Sequence, residues 1–187
     1  MREIIWGLIA HIASKPAVAN WLISRSKRTP YSPITSRDGT DVYMDRHWLF
    51  NPYAQDANGN AGPARWPWLP SVRVHQILSA DDDVHMHDHP WNARTIVLRG
   101  WYTEERPYDG RYTEQPIRMR HNSSREEFLR RQGYTGRVLF GQYHRISRVP
   151  PGDGVFTLWF TWKYRGTWGF LVEGKKVPWR IYLGGGR

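Results

Sequence analysis

Three of the chain's eight histidines fall within five residues, His85-Met86-His87-Asp88-His89. On a strand, residues two apart face the same side, so the three imidazoles would line one face while Met86 and Asp88 face away. Converging neutral imidazoles suit a borderline transition metal. Cysteine is absent, which removes thiolate metal sites, disulfides and a cysteine nucleophile together. Any metal must therefore be held by His, Asp or Glu. A further ligand has to come from elsewhere in the chain, on an inward-facing strand position. Of His11, His47, His75, His121 and His144, the last stands out, because it follows Gly141-Gln142-Tyr143 at the start of another strand-like run. Without such a partner segment, the same run reads as a set of solvated histidines.

The charge balance points to anions. Lys and Arg total 27 against 17 Asp and Glu, a net +10 in 187 residues, and all but five of the cations are arginines. No block of five or more cations occurs, so the charge is spread over a folded surface and not a basic tail. Nucleic acid, anionic lipid and anionic small molecules are the partner classes this balance favours. Hydrophobic residues at 40% and aromatics at 14% exclude a disordered chain.

These side chains need a scaffold to hold them. Residues 3–13 and 16–25 read as two short helices, the second opened by Pro16 after Ser14. Ala17-Val18-Ala19 superficially resembles a signal-peptidase site, but His11 and Lys15 interrupt the apolar run, and Val18, Trp21 and Leu22 continue it at helical spacing. A cytoplasmic protein is expected, and no stretch reaches the roughly 18–20 apolar residues of a membrane span. Ser26–Ser36 reads as a basic, proline-bearing connector. From Asp41 the pattern turns to strands: Val42–Met44, Trp48–Phe50, Val72–Leu78, Thr95–Leu98, Trp101–Thr103, Arg137–Phe140, Val155–Tyr164 and Trp168–Val172. Asn51–Pro70 reads as a long loop, and Ser124–Arg131 as a short helical turn. The expected organisation is an N-terminal segment, 1–36, packing on a β-domain, 37–187, built as an antiparallel sandwich or barrel.

The histidine region resembles the two sequence motifs of the cupin superfamily, small jelly-roll barrels with a metal inside. In the first motif a glycine is followed after five residues by His-x-His, then a glutamate and a glycine. Here His87, His89 and Gly100 match it at the required distances. In the second, Gly133, Gly141 and His144 match. The match covers about 81–148. Asp81 replaces the first glycine, Leu139 a proline and Arg148 a terminal asparagine. Ala93 stands where the family has its glutamate ligand. The resemblance thus implies a jelly-roll fold with His87, His89 and His144 as a three-histidine metal set, similar to the iron site of cysteine dioxygenase-like cupins. His-Asp-His-Pro-Trp, Leu-Arg-Gly-Trp-Tyr-x-Glu and the segments 164–170 and 177–180 also resemble a group of small cupins common in bacterial and phage genomes. His85 and Glu104 are candidate additional members of the site.

The function this implies is a non-haem iron, dioxygenase-like enzyme acting on a small anionic substrate. The cofactor is a divalent transition metal, Fe(II) favoured over Zn, Ni or Mn. Tyr102, Tyr143 and Arg145 are candidates to orient the substrate, and Arg73, Arg94 and Arg99 are candidate anion forks by proximity. A second reading is a non-catalytic cupin that binds a sugar or nucleotide, with Trp91 and Trp101 as a stacking wall. A third is a nucleic-acid-associated protein using the arginine-rich 106–148 stretch with Tyr108, Tyr112 and Tyr134. A homodimer through edge strands is expected, and no membrane partner.

Overall fold

The chain enters its fold through two helices, α1 (Arg2–Ala13) and α2 (Pro16–Ser26). Lys15 is extended, and Pro16 begins the second helix where its missing N–H costs nothing. The computed structural model describes residues 1–36, 39–56, 61–108, 118–119 and 125–184, and His121 and Tyr112 lie outside them.

Fourteen strands follow among the described residues: β1 (Pro30–Thr35), β2 (Val42–Phe50), β3 (Tyr53–Gln55), β4 (Ala61–Ala64), β5 (Ser71–Ile77), β6 (Trp91–Arg99) and β7 (Trp101–Pro107), then β8 (Arg118–Met119), β9 (Arg125–Arg131), β10 (Thr135–Val138), β11 (Arg145–Arg148), β12 (Val155–Tyr164), β13 (Gly169–Val172) and β14 (Lys175–Pro178). A four-residue helix, α3 (Trp179–Tyr182), ends the described chain. The main sheet has the order β1-β2-β5-β12-β6-β10, and a second has β11-β7-β9-β8. All pairings are antiparallel, and the crossovers between non-consecutive strands are those of a jelly roll. This is the expected all-β fold with two short N-terminal helices.

The central strands β5, β6 and β12 are buried on both faces, so their residues divide by parity. Val72, Val74, Ile96, Leu98, Phe156 and Leu158 face the helices, meeting Ala10, Ala13, Ala19 and Ile23. The small helix residues let the backbone approach the sheet closely. Ile4, Leu8 and Ile12 of α1 are exposed. The opposite sheet face contributes Met44, Ile77, Val97 and Val155, which meet Tyr102 and Ile146 of the second sheet. Between these apolar patches the interior is polar.

Three expectations change, the first being that Asn51–Pro70, read as a long loop, holds the antiparallel pair β3–β4. Residues 30–35, read as part of a connector, form β1 and pair with β2 at the edge of the main sheet. Arg125–Arg131 is a strand and not a helical turn. Its seven-residue pairing with β7 sets Phe128 opposite Glu104 and Arg130 opposite Tyr102, and that long-range ladder overrides a helix-tolerant local sequence.

The 51–70 loop is organised by one side chain. Asn51 is 1% exposed with φ of 52°, a left-handed backbone that asparagine tolerates better than most residues. Its side chain accepts from Trp66 N and donates to the carbonyls of Trp66, Leu69 and Pro70. The Asn51→Ala variant is therefore expected to lose about 2–4 kcal/mol, from unmet carbonyls and backbone strain. Urea unfolding measures it, and a loss under about 0.5 kcal/mol would show that the loop is held by other contacts.

Candidate metal centre

The His85–His89 segment lies between β5 and β6 and is extended without belonging to a named strand. Single bridges fasten it on both sides, His87 to His144 and His87 to Phe170. His87 and His144 exchange both backbone hydrogen bonds at 2.9 Å, Asp88 N donates to Gly169 O, and Leu171 N to Met86 O. The predicted alternation holds at 86–89. Met86 and Asp88 face away from the imidazoles, yet both are buried, 3% and 0% exposed. The Asp88 carboxylate accepts from Gly169 N at 2.7 Å and Lys176 Nζ at 2.6 Å. His85 leaves the group, its Nδ1 lying 2.9 Å from the Tyr182 hydroxyl.

One ring nitrogen from each of His87, His89 and His144 lies within 4.8 Å of the others. The Nε2 atoms of His89 and His144 are 2.8 Å apart. Metal–nitrogen bonds of about 2.1 Å, roughly at right angles, put donors about 3 Å apart, so this pair already has ligand spacing. Burial, with Asp81 opposing, pushes His87 down to about 4. Burial and the neighbouring His144 and His87 hold His89 well below the usual imidazole range. Both rings are therefore neutral near pH 7 and offer lone pairs. The donor set fits a divalent transition metal.

Glu104 is not beside the three rings but behind one of them. Its Oε1 lies 2.8 Å from His144 Nδ1, which as the N–H donor turns the Nε2 lone pair of His144 toward His89. Burial works to raise the Glu104 carboxyl, but Arg106, Arg130 and the His144 bond outweigh it and hold it well below the carboxylate range. The two guanidiniums approach at 2.9 Å and 2.8 Å. Ala93, at the position of the family's glutamate, packs against Val138 and Trp159.

The candidate substrate residues separate. Tyr102 is buried in the core between the sheets. Tyr143 is half-buried, its phenol raised by burial and then by Asp88. Arg145 is held by the Asp81 carbonyl at 3.2 Å and Glu105 at 3.8 Å. Arg94 pairs with Glu3 at 2.8 Å on the helix side, and Arg99 lies over Phe156 facing Asp153. Arg73 alone of these three turns into the interior, where Trp91 also lies against it. Trp101 is 38% exposed. Sequence reasoning missed two elements. The wall of Trp168 and Phe170, each 6.0 Å from His87 between ring centroids, comes from the C-terminal hairpin. Asp81, read as a turn residue, lies 3.7 Å from His87 and accepts from Tyr43. Neither had a local signal beyond the resemblance.

No protein-family model matches the chain, and no curated protein does. Solved structures are similar to it at low identity. Fe(II) HppE in complex with substrate is 14% identical, with a TM-score of 0.44 over 73% of this chain and 58% of that one. An RmlC-like cupin protein from Ralstonia eutropha JMP134 is 11% identical, with a TM-score of 0.44 over 84% and 79%. A cupin-like protein from Thermotoga maritima MSB8 is 13% identical, with a TM-score of 0.38 over 74% and 83%. This chain thus spans under two thirds of the HppE chain's length.

The depressed imidazoles make stability depend on pH. In the unfolded chain these histidines take up protons near pH 6.5, whereas in the fold His87 does so only near 4 and His89 is also held well below the usual imidazole range. The unfolded state therefore binds more protons between these values, and stability is lost as pH falls through that window. For metal-free protein the melting temperature is expected to drop from about pH 6.5 downward, with His87 contributing roughly 3 kcal/mol at most. His87→Gln should flatten the curve, and an unchanged slope would show that this ring is not neutral in the fold.

Proposed function

We propose that this chain is a metal-dependent cupin in which His87, His89 and His144 hold a divalent transition metal, Fe(II) favoured, in a dioxygenase-like enzyme for a small organic anion. The observation that carries the reading is the triangle of imidazoles, one of them oriented from behind by a buried carboxylate. A ferrous ion there would supply Lewis acidity and electrons for reducing O₂.

The chain's own residues do the rest. Three uncharged ligands leave the metal's positive charge uncancelled, which favours an anionic substrate in the same chamber. Glu104 keeps its charge on Arg106 and Arg130 and fixes the His144 tautomer without neutralising the site. Ala93, packed against Val138 and Trp159, offers no fourth ligand. Trp168 and Phe170 lie beside His87, each 6.0 Å away between ring centroids.

The arginine-rich stretch supports nucleic-acid binding less than its composition suggests. Among its described members, Arg106 and Arg130 pair with Glu104, Arg125 and Arg145 with Glu105, and Arg148 with Glu127.

Metal analysis of protein purified without chelator tests the reading. About one iron per chain is expected, with O₂ consumption on adding thiol, keto-acid or phenolic substrates. Full occupancy by a metal without O₂ uptake would replace the enzyme with a binding module. His87→Ala and His144→Ala should lose the metal, and unchanged content in both would sink the three-histidine site. Glu104→Gln should weaken metal affinity about 10–100-fold while leaving the ligands in place.

A further inference from the structure

Every fully buried arginine on the described strands has a carboxylate, with one exception. Arg94 holds Glu3 at 2.8 Å, and Arg106 and Arg130 hold Glu104 at 2.9 and 2.8 Å. Arg73 is buried more deeply than any of these, at 2% exposed, yet no carboxylate pairs with it among the described residues. Its Nε makes no hydrogen bond. The nearest other cation worsens the imbalance. Burial and then Arg73 lower the Arg46 guanidinium to about 10, and only tyrosines oppose that shift.

Four rings surround the Arg73 guanidinium, Trp48 at 5.2 Å, Trp91 at 5.3 Å, Tyr53 at 5.5 Å and Tyr31 at 5.8 Å. Ring faces attract a cation, but they do not satisfy a fork of five N–H donors. The Tyr31 hydroxyl and His75 Nε2 are likewise buried without hydrogen-bond partners. Unmet polar atoms and uncompensated positive charge thus gather in one part of the interior. That part adjoins the histidine triangle, since the Trp91 ring lies 5.3 Å from the Arg73 guanidinium and stacks with His89 at 6.4 Å.

We propose that Arg73 is an anion-recognition residue in this part of the interior, taking the carboxylate or phosphate group of a small organic acid whose other end reaches the three histidines. Only the second half of that statement rests on the metal reading, because capture of the oxyanion by the guanidinium needs no metal. A planar fork matches both oxyanions, and burial among rings favours a ligand with an apolar body.

Benzoate, phenyl phosphate and neutral benzamide, titrated against the full chain by calorimetry, test the proposal. Wild-type protein is expected to bind at least one of the two acids and to ignore benzamide, and which acid binds distinguishes carboxylate from phosphate recognition. Arg73→Met, which keeps apolar bulk among the rings, should weaken the bound acid at least about tenfold, and Arg73→Lys by less. His144→Ala should lose metal yet still bind the acid, so failure of the metal reading leaves this result standing. Should Arg73→Met not fold, Arg73→Lys and the acid-against-amide comparison on wild type decide. Equal affinity for benzoate and benzamide, no binding of either acid, or unchanged acid affinity in folded Arg73→Met overturns it.

Discussion

A carboxylate sealed inside a protein has to be matched charge for charge, and Glu104 is the place where this fold meets that demand. It is 2% exposed and meets Arg106 of its own strand, Arg130 of β9 and His144 just before β11. Removing one partner of such a buried group typically costs about 3–5 kcal/mol, because the remaining charge is stranded. The second sheet is thereby tied together around one side chain. The same contact orients His144, so sheet stability and the geometry of the candidate metal centre depend on one interaction.

The main sheet explains how so polar an interior is tolerated. Its outward face is covered by Ala10, Ala13, Ala19 and Ile23 from the two helices, with the Trp6 ring edge-on to Phe160 at 5.1 Å. That apolar layer supplies burial on the order of 25 cal/mol per Å², which lets the inward face carry Arg73, His75, Thr95 and Thr157. Among the described residues, part of the arginine excess is turned inward or paired. What composition presents as a basic surface is, at Glu104, Glu105 and Glu127, an internal counter-charge system.

The histidine segment is clamped and not woven into a sheet. The C-terminal hairpin β13–β14 pairs Phe170 with Val177. Its rings lock against α3, Trp168 on Trp179 at 5.6 Å and Phe170 on Tyr182 at 3.9 Å. Asp88 receives Gly169 N and Lys176 Nζ from that hairpin, which fixes the segment one residue away from each ligand. Rigid support at alternate positions holds imidazoles in register without requiring a full strand ladder.

Much of this was legible in the residues. Alternation puts His85, His87 and His89 on one face, because a period of two is a local property of extended backbone, and the resemblance to the cupin motifs singles out His87, His89 and His144. Pro16 and the helical spacing of the first 25 residues likewise mark both helices. Local sequence could not decide which partners meet. Arg73, Arg94 and Arg99 all lie on the two strands that flank the histidine segment, yet parity turns Arg73 inward and Arg94 to the helix face, and a register shift at Phe156 leaves Arg99 over the Phe156 ring. Glu104 reads as a spare ligand from its spacing, and only the crossing of β7 with β9 and β11 puts it behind His144. Arg125–Arg131 is a strand for the same reason: its pairing energy comes from β7, far away in sequence. Residue types and periodicity determined the donors, the helices and the all-β class, whereas burial, counter-charge and strand order, which are properties of the assembled sheets, decided what each donor does.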